Sequence, residues 1–177
     1  MSDNGFIHVY YGDGKGKTTA ALGLALRAAG CGKKVVVIQF IKGWACGEHN
    51  SLPQLPNITL FTGKPVSNKF IHEMSEEEKQ ATKAAQDECL EKAVDLIKNG
   101  QCDVLILDEA IDAYQLGVLD AGMIERLIYD KPGSLELVIT GHSPDTRLLE
   151  QADYVTQMLK HKHPYDIGIS ARKGIEF

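Results

Sequence analysis

Phe6-Ile-His-Val-Tyr-Tyr-Gly-Asp-Gly-Lys-Gly-Lys-Thr-Thr19 is the stretch on which the reading of the fold turns. Its aromatic and β-branched opening, Phe6 to Tyr11, predicts a strand. A glycine-rich turn follows at once, and then Thr18 to Ala29, rich in Ala and Leu, predicts a helix that stops at Gly30 and Gly32. Val35 to Phe40 is almost continuously apolar, as a parallel strand covered on both faces would be. Strand, short turn, helix and strand make a βαβ unit.

The turn itself, Gly12-Asp13-Gly14-Lys15-Gly16-Lys17-Thr18-Thr19, has the composition and the setting of a phosphate-binding loop. Glycines let backbone N–H groups converge on an anion, and the helix N-terminus adds its dipole. Lys17 supplies a point charge for the phosphates and Thr18 a hydroxyl for Mg²⁺. Two lysines at a helix N-terminus repel that dipole unless an anion is present, which weighs against a merely structural glycine turn. The match to GxxxxGK[ST] is imperfect, because Tyr11 stands where the first glycine belongs and Gly12 comes one residue late.

Working outward, Val104-Leu-Ile-Leu-Asp108 reads as a buried strand ending in two carboxylates, Asp108 and Glu109. Such a strand end often means nothing. Beside a phosphate loop it becomes a candidate for the acid that holds Mg²⁺ together with the loop hydroxyl. Nucleotide is then expected at the C-terminal edge of the sheet. From Ile41 to Met74, glycine and proline punctuate a mostly irregular segment with one short strand candidate, Ile58 to Phe61, and a stretch this long predicts a substrate-contacting loop. Ser75 and Glu78 form a capping box that begins a helix ended by Asn99-Gly100. Its apolar stripe is Ala85, Cys89, Ala93, Leu96 and Ile97, and its wet side Glu88, Glu91, Lys92 and Asp95. Asp120 to Tyr129 reads as a helix, Leu135 to Thr140 as a buried strand, Ser143-Pro144 as the start of a short helix to Ala152, and Tyr154 to Leu159 as a last strand. Strands alternating with helices give an α/β three-layer, P-loop NTPase-like (RecA-like) fold around a mostly parallel sheet.

The 177 residues have the length of a single domain. With 19 Lys+Arg against 24 Asp+Glu, the net charge of -5 argues against nucleic acid as the main partner. No apolar run approaches the roughly 20 residues of a membrane span. Met1 to Phe6 lacks the basic and apolar regions of a signal peptide, so a cytoplasmic location is expected. Cys31, Cys46, Cys89 and Cys102 are widely spaced and are expected to be reduced thiols, mostly in or near the core. The six histidines fall at no recognised nucleophile motif. His161 and His163 could share a strand face as metal ligands, but beside Lys160 and Lys162 they read more readily as a basic edge.

The chain resembles the P-loop class of corrinoid adenosyltransferases in Gly12 to Ala21, in Arg27-Ala-x-Gly30 with Gly32-Lys33, and in Val37-Ile-Gln-Phe-Ile-Lys-Gly43 followed by Gly47-Glu48. The likeness continues through Leu107-Asp-Glu109, Pro132-Gly133 and Val138-Ile-Thr-Gly141, and through a tail running from Lys162-His163 by Asp166 and Gly168 to Gly174-Ile-Glu-Phe177. The shortened phosphate loop is shared with that family. The resemblance implies that ATP is bound in the reverse of the usual sense, presenting its 5′ carbon to a four-coordinate Co(I) corrinoid that displaces triphosphate. It implies catalytic roles for Lys17, Thr18 and Glu109, with Lys15 adding charge. It also implies Mg²⁺ at Thr18 and Glu109 supported by Asp108, and cofactor contacts from the loop together with Arg27, Gln39, Phe40 and Lys42. Arg27 could equally be a plain exposed helix residue and Phe40 a core aromatic. An electron donor reducing Co(II) to Co(I) and a homodimer are implied as partners.

Three departures from that family stand out. Asp13 occupies a position where many members carry Asn, and is expected to bind ribose or loop backbone. Only Met1 to Asn4 precede the first strand, so the family's N-terminal cover is expected to be absent or made otherwise. The family's Phe-x-Trp after the third strand has no counterpart around Gly63, where Lys64-Pro-Val66 stands; Phe70 and Trp44 are the available substitutes. Two other readings stay open on the sequence: phosphoryl transfer or ATP hydrolysis at the γ-phosphate, and a nucleotide-gated corrinoid carrier without turnover.

Overall fold

The computed structural model describes residues 4–67 and 69–177. The N-terminal cover expectation falls largely on Met1 to Asp3, outside the described residues. Six strands, β1 (Ile7–Tyr11), β2 (Val35–Phe40), β3 (Ile58–Gly63), β4 (Val104–Asp108), β5 (Glu136–Gly141) and β6 (Tyr154–Gln157), form one sheet in the order β3-β2-β4-β5-β1-β6. Every pairing is parallel, so the expected mostly parallel sheet is parallel throughout.

Two apolar layers hold the sheet. On one face α1 (Lys17–Gly30) presses Ala21, Ala25 and Ala28 against Val35, Val37, Val104, Ile106 and Val138, its small side chains bringing helix and sheet close together. The alternate residues Val36, Ile38 and Phe40 point to the other face, under α3 (Glu76–Lys98) and the shorter helices α4 (Ala110–Gln115), α5 (Ala121–Tyr129) and α6 (Thr146–Gln151). This period-two division explains why β2 reads as one apolar run.

Several boundaries differ from the sequence reading for identifiable reasons. α6 begins after Asp145, whose carboxylate accepts from Leu148 N at 2.7 Å, so Ser143-Pro144 precedes the cap. β6 ends at Gln157, because the segment beyond it packs on the glycine turn after β1: Met158 O accepts from Gly14 N at 2.8 Å. The sequence predicts neither α4 nor the single turn α2 (Glu48–Ser51), both too short to show a period. On α3 the covered face also contains the polar residues Thr82 and Gln86. Gln86 is fully buried and spans two elements, accepting from Ile41 N at 3.0 Å and donating to Val118 O at 2.8 Å. Cys46, Cys89 and Cys102 are buried and Cys31 is exposed, all four unpaired.

Candidate active site

Because all strands run the same way, their C-terminal ends share one edge, and the β1 turn, Asp108 and Gly141 lie along it. There the turn after β1 is tightly constrained. Gly12 has φ 111°, and a Cβ on it would sit 2.4 Å from Met158 O; one on Gly14 would sit 2.8 Å from the same carbonyl. Only glycine fits, so the short loop is packed against the segment that follows β6, the strand beside β1.

The loop ends at Gly16, the N-cap of α1, which supplies no side-chain cap, and the first turn of the helix carries no acid. Its first N–H groups therefore have no side-chain acceptor and form a built anion site. Lys17 folds back over the loop, Nζ donating to Gly12 O at 2.6 Å and Gly14 O at 3.0 Å. Lys15 reaches the far end of the chain, Nζ lying 3.0 Å from Glu176 Oε1. Hydrogen bonds from Arg172 and from Lys15 hold the Glu176 carboxyl down at about 2. Asp13 Oδ1 accepts from Lys160 N at 3.1 Å, a bond that keeps its carboxyl below the usual range. Its partner is backbone of the segment after β6, and not of the loop itself.

Asp108 is fully buried and saturated. Oδ1 accepts from Thr18 Oγ1 at 2.9 Å and Thr140 Oγ1 at 2.8 Å, and Oδ2 accepts from Lys42 Nζ at 3.0 Å and Gln39 Nε2 at 3.1 Å. With its hydrogen given to Asp108, the Thr18 hydroxyl keeps its lone pairs for another partner. Glu109 has φ 62°, in the left-handed region, and its N–H donates to Thr140 Oγ1 at 2.9 Å. That turn swings its carboxylate away from the strand line and into the cavity wall. Burial, reinforced by the neighbouring Asp108 charge, pushes the Glu109 carboxyl up to about 7. A hydroxyl with free lone pairs and a carboxylate short of positive charge are hard oxygen donors, and the set fits Mg²⁺.

A second network stands behind Asp108. Glu48 Oε1 accepts from Gln39 Nε2 at 3.1 Å and from Lys42 Nζ at 3.2 Å. His49 Nδ1 accepts from Cys46 N at 3.3 Å, so Nε2 carries the ring proton and donates to Gln39 Oε1 at 2.8 Å. That bond sets the Gln39 amide with its NH₂ toward the two carboxylates. Burial works against the Lys42 ammonium, but Asp108 outweighs it and holds the group up. Cys46, Glu48 and His49 bring three donor atoms within 4.8 Å of one another. Both His49 ring nitrogens and Glu48 Oε1 are engaged, and burial pushes the Cys46 thiol up, so the trio is a hydrogen-bonded knot bracing Gln39.

These elements enclose a cavity of about 1190 Å³. Its polar wall is the loop from Asp13 to Thr19 with Lys42, Glu109 and Thr140; its apolar wall is Leu22, Leu26, Trp44, Leu52 and Leu55. The tail from Gly174 to Phe177 and the side chain of His163 close another side. Gln39 and Phe40 do not reach the cavity: Gln39 braces Asp108, and Phe40 is a fully buried core aromatic. Arg27 lies exposed in the last turn of α1, where its charge reaches Tyr10. Of the two proposed aromatic substitutes, Trp44 lines the cavity and Phe70 does not. His163 Nδ1 accepts from Tyr165 N at 3.1 Å, capping a turn, and Lys160 is paired with Asp166 at 2.9 Å, so half of the expected basic edge is already committed. Sequence reasoning left Glu48 and the tail glutamate without roles, although both fall within the motifs Gly47-Glu48 and Gly174-Ile-Glu-Phe177. It also passed over His49, and over His142 and Asp112, which lie 30 residues apart in the chain.

Residues 3–177 match the model of the family described as ATP:corrinoid adenosyltransferase BtuR/CobO/CobP. The chain belongs to this family. It is 35% identical over 178 residues to the corrinoid adenosyltransferase of Escherichia coli K12, an alignment covering 100% of this chain and 88% of that protein. The corrinoid adenosyltransferase CobA of Salmonella typhimurium is 34% identical, with 100% and 88% covered, and that of Pseudomonas aeruginosa 32%, with 99% and 85% covered. Membership makes the chain a transferase that adenosylates corrinoids with ATP. Among the described residues, no helix is long and apolar enough to cross a membrane.

Proposed function

We propose that this chain, acting as a single domain in the cytoplasm, moves the 5′-deoxyadenosyl group of ATP onto the Co(I) centre of a corrinoid and releases triphosphate. The electron pair of Co(I) forms the Co–C5′ bond, and the C5′–O bond breaks with its pair leaving on the triphosphate. The observation that carries this reading is one cavity of about 1190 Å³, above the roughly 300–1,000 Å³ of a single small-molecule pocket, with an anion cradle on one wall and an apolar shelf on another. The two walls differ in chemistry, one suited to a polyphosphate and the other to an apolar ring face.

Lys17, the loop amides and Thr19 hold the triphosphate, and Lys15 adds charge once it leaves Glu176. Thr18 and Glu109 would hold Mg²⁺, with Asp108 orienting the threonine hydroxyl. Bound there, Mg²⁺ supplies charge neutralisation for the departing triphosphate. Co(I) has no proton to lose, so the site works by positioning, neutralisation and exclusion of water. The apolar shelf with Trp44 faces the corrinoid. Co(I) must come from an electron donor that reduces Co(II). Exposed Tyr165, Ile167, Ile169 and Ile175 in the arm after β6 support a homodimer that covers them.

Incubation with ATP, Mg²⁺ and chemically reduced cobalamin is expected to yield triphosphate and a light-sensitive alkylcobalamin spectrum. ADP with orthophosphate would overturn the reading in favour of hydrolysis. Tight binding of both ligands without product would overturn it in favour of a carrier.

A further inference from the structure

His142 lines the cavity, and its orientation is fixed from outside the phosphate loop and the acidic pair. His142 follows Gly141, the last residue of β5, and Asp112 lies on α4. The backbone N–H of His142 donates to Asp112 Oδ2 at 3.1 Å, and its ring Nδ1 lies 3.0 Å from Asp112 Oδ1. An ionised carboxylate only accepts, so Nδ1 carries a hydrogen and Nε2 is left free. The close approach is built in: a Cβ on Gly141 would fall 2.4 Å from Ile111 Cβ and 2.8 Å from Asp112 Oδ2. Without a side chain there, α4 can press against the strand end and present its carboxylate.

The His142 side chain is 60% exposed, and it shares the cavity wall with Lys17, Thr18, Glu109 and Thr140. A residue tethered through its backbone N–H and through ring Nδ1, with the other ring nitrogen open to a cavity that has an anion cradle, is a recognition element for an anion. Adenosyl transfer requires no general base, which leaves the imidazole no proton-abstracting part in the reaction. We propose that His142 is a further contact for the triphosphate group, its imidazolium Nε2–H donating to a phosphate oxygen, with Asp112 as the positioning residue. The inference rests on the function proposed above. Where Lys17 gives a permanent charge, His142 gives a contact that exists only while the ring is protonated, so triphosphate is held more tightly in acid and released more readily in base.

Asp112 on α4 contacts it directly, and the other charged or titratable groups lining the same cavity are Asp13, Lys15 and Lys17 from the loop and the start of α1, Glu109 at the end of β4, Lys42, Cys46 and Glu48 from the segment after β2, and His163 and Glu176 from the tail. Several of these titrate or carry charge, so the effect of His142 must be read as a difference between proteins. The test is direct binding of inorganic tripolyphosphate, by calorimetry in metal-free buffer, from about pH 5 to about pH 8. His142→Gln is expected to lose about tenfold in affinity at the acid end, to match the parent at the alkaline end, and so to flatten the slope. Asp112→Asn, which retains the ring but loosens it, is expected to weaken binding while keeping a slope. Equal affinity and equal slope in parent and His142→Gln would overturn the inference. Because His142 is exposed, an unchanged melting temperature in each variant is the check that the comparison is between folded proteins. Adenosylcobalamin formation is followed in parallel: a parent that makes product while His142→Gln binds tripolyphosphate normally sinks the contact and leaves the reaction standing. A parent that makes none, yet loses tripolyphosphate with His142, sinks the reaction and leaves the contact.

Discussion

Glu109 and Lys17 do opposite work for stability and function. The Glu109 carboxyl sits at about 7 in the folded chain because burial and Asp108 disfavour its charge. Unfolded, it would titrate near 4.3. A raised carboxyl stabilises the fold fully below its unfolded value, and that contribution is lost as pH rises through the folded value. Glu109→Gln is therefore expected to raise the melting temperature at about pH 8 and to flatten its dependence between about pH 4.3 and 7, while abolishing Mg²⁺-dependent turnover. Thermal melts across that range check the sign. Lys17 bonds only loop carbonyls, so Lys17→Ala should leave the melt nearly unmoved and lower kcat/KM for ATP by about 10²–10³-fold, measured by adenosylcobalamin formation. Both residues were legible from the sequence, since a lysine in a glycine turn and an acid at a strand end carry their chemistry in their type and position. His142 and Gln39 were not legible in the same way. What they do depends on Asp112 and His49, partners that local sequence does not name.

Between elements, the joints are made by single polar side chains. Gln86 from α3 ties the exit of β2, where Ile41 has φ 48°, to the loop carrying Val118. Gln86→Ala leaves a buried carbonyl and a strained N–H without partners, and is expected to cost about 3 kcal/mol, read from denaturant unfolding. A residue on the stripe of a helix reads as apolar core from its spacing, and this glutamine is the reason that reading of α3 was incomplete. The strands were easier. Full burial on two faces gives runs such as Val35 to Phe40 that need no partner to be recognised, whereas α4, six residues long, has too few turns to show a period. Gly12→Ala tests the joint between the loop and Met158: with a backbone oxygen 2.4 Å from the new Cβ, the variant is expected to lose nucleotide binding together with stability. An intact melt with ordinary ATP affinity would show that the loop does not depend on that packing.

For the whole molecule, the arm after β6 is the part least explained by the chain's own packing. Ile167 is 78% exposed and Tyr165 76%, values far from those of the apolar residues in the two layers. In the homodimer proposed above a second copy would cover them, and sedimentation is then expected to find a dimer that Ile167→Asp weakens. The family and the parallel α/β architecture were both visible in the sequence, because the motifs span nearly its full length. The order of the strands was not, since it depends on which crossovers pass over which neighbours. That order has a consequence for how the protein is made. β1, the strand that carries the phosphate loop, leaves the ribosome before the other five, yet its two neighbours are β5 and β6. Lys15 meets its partner Glu176 across 161 residues. Long-range pairing of this kind forms late, because loop closure must come before the contacts reward it. A nascent chain halted at Asp130 has its lysines and glycines in place, and β2, β3 and β4 to pair with one another, but neither neighbour of β1, and the capacity to hold ATP should arrive only once β5 and β6 have been made.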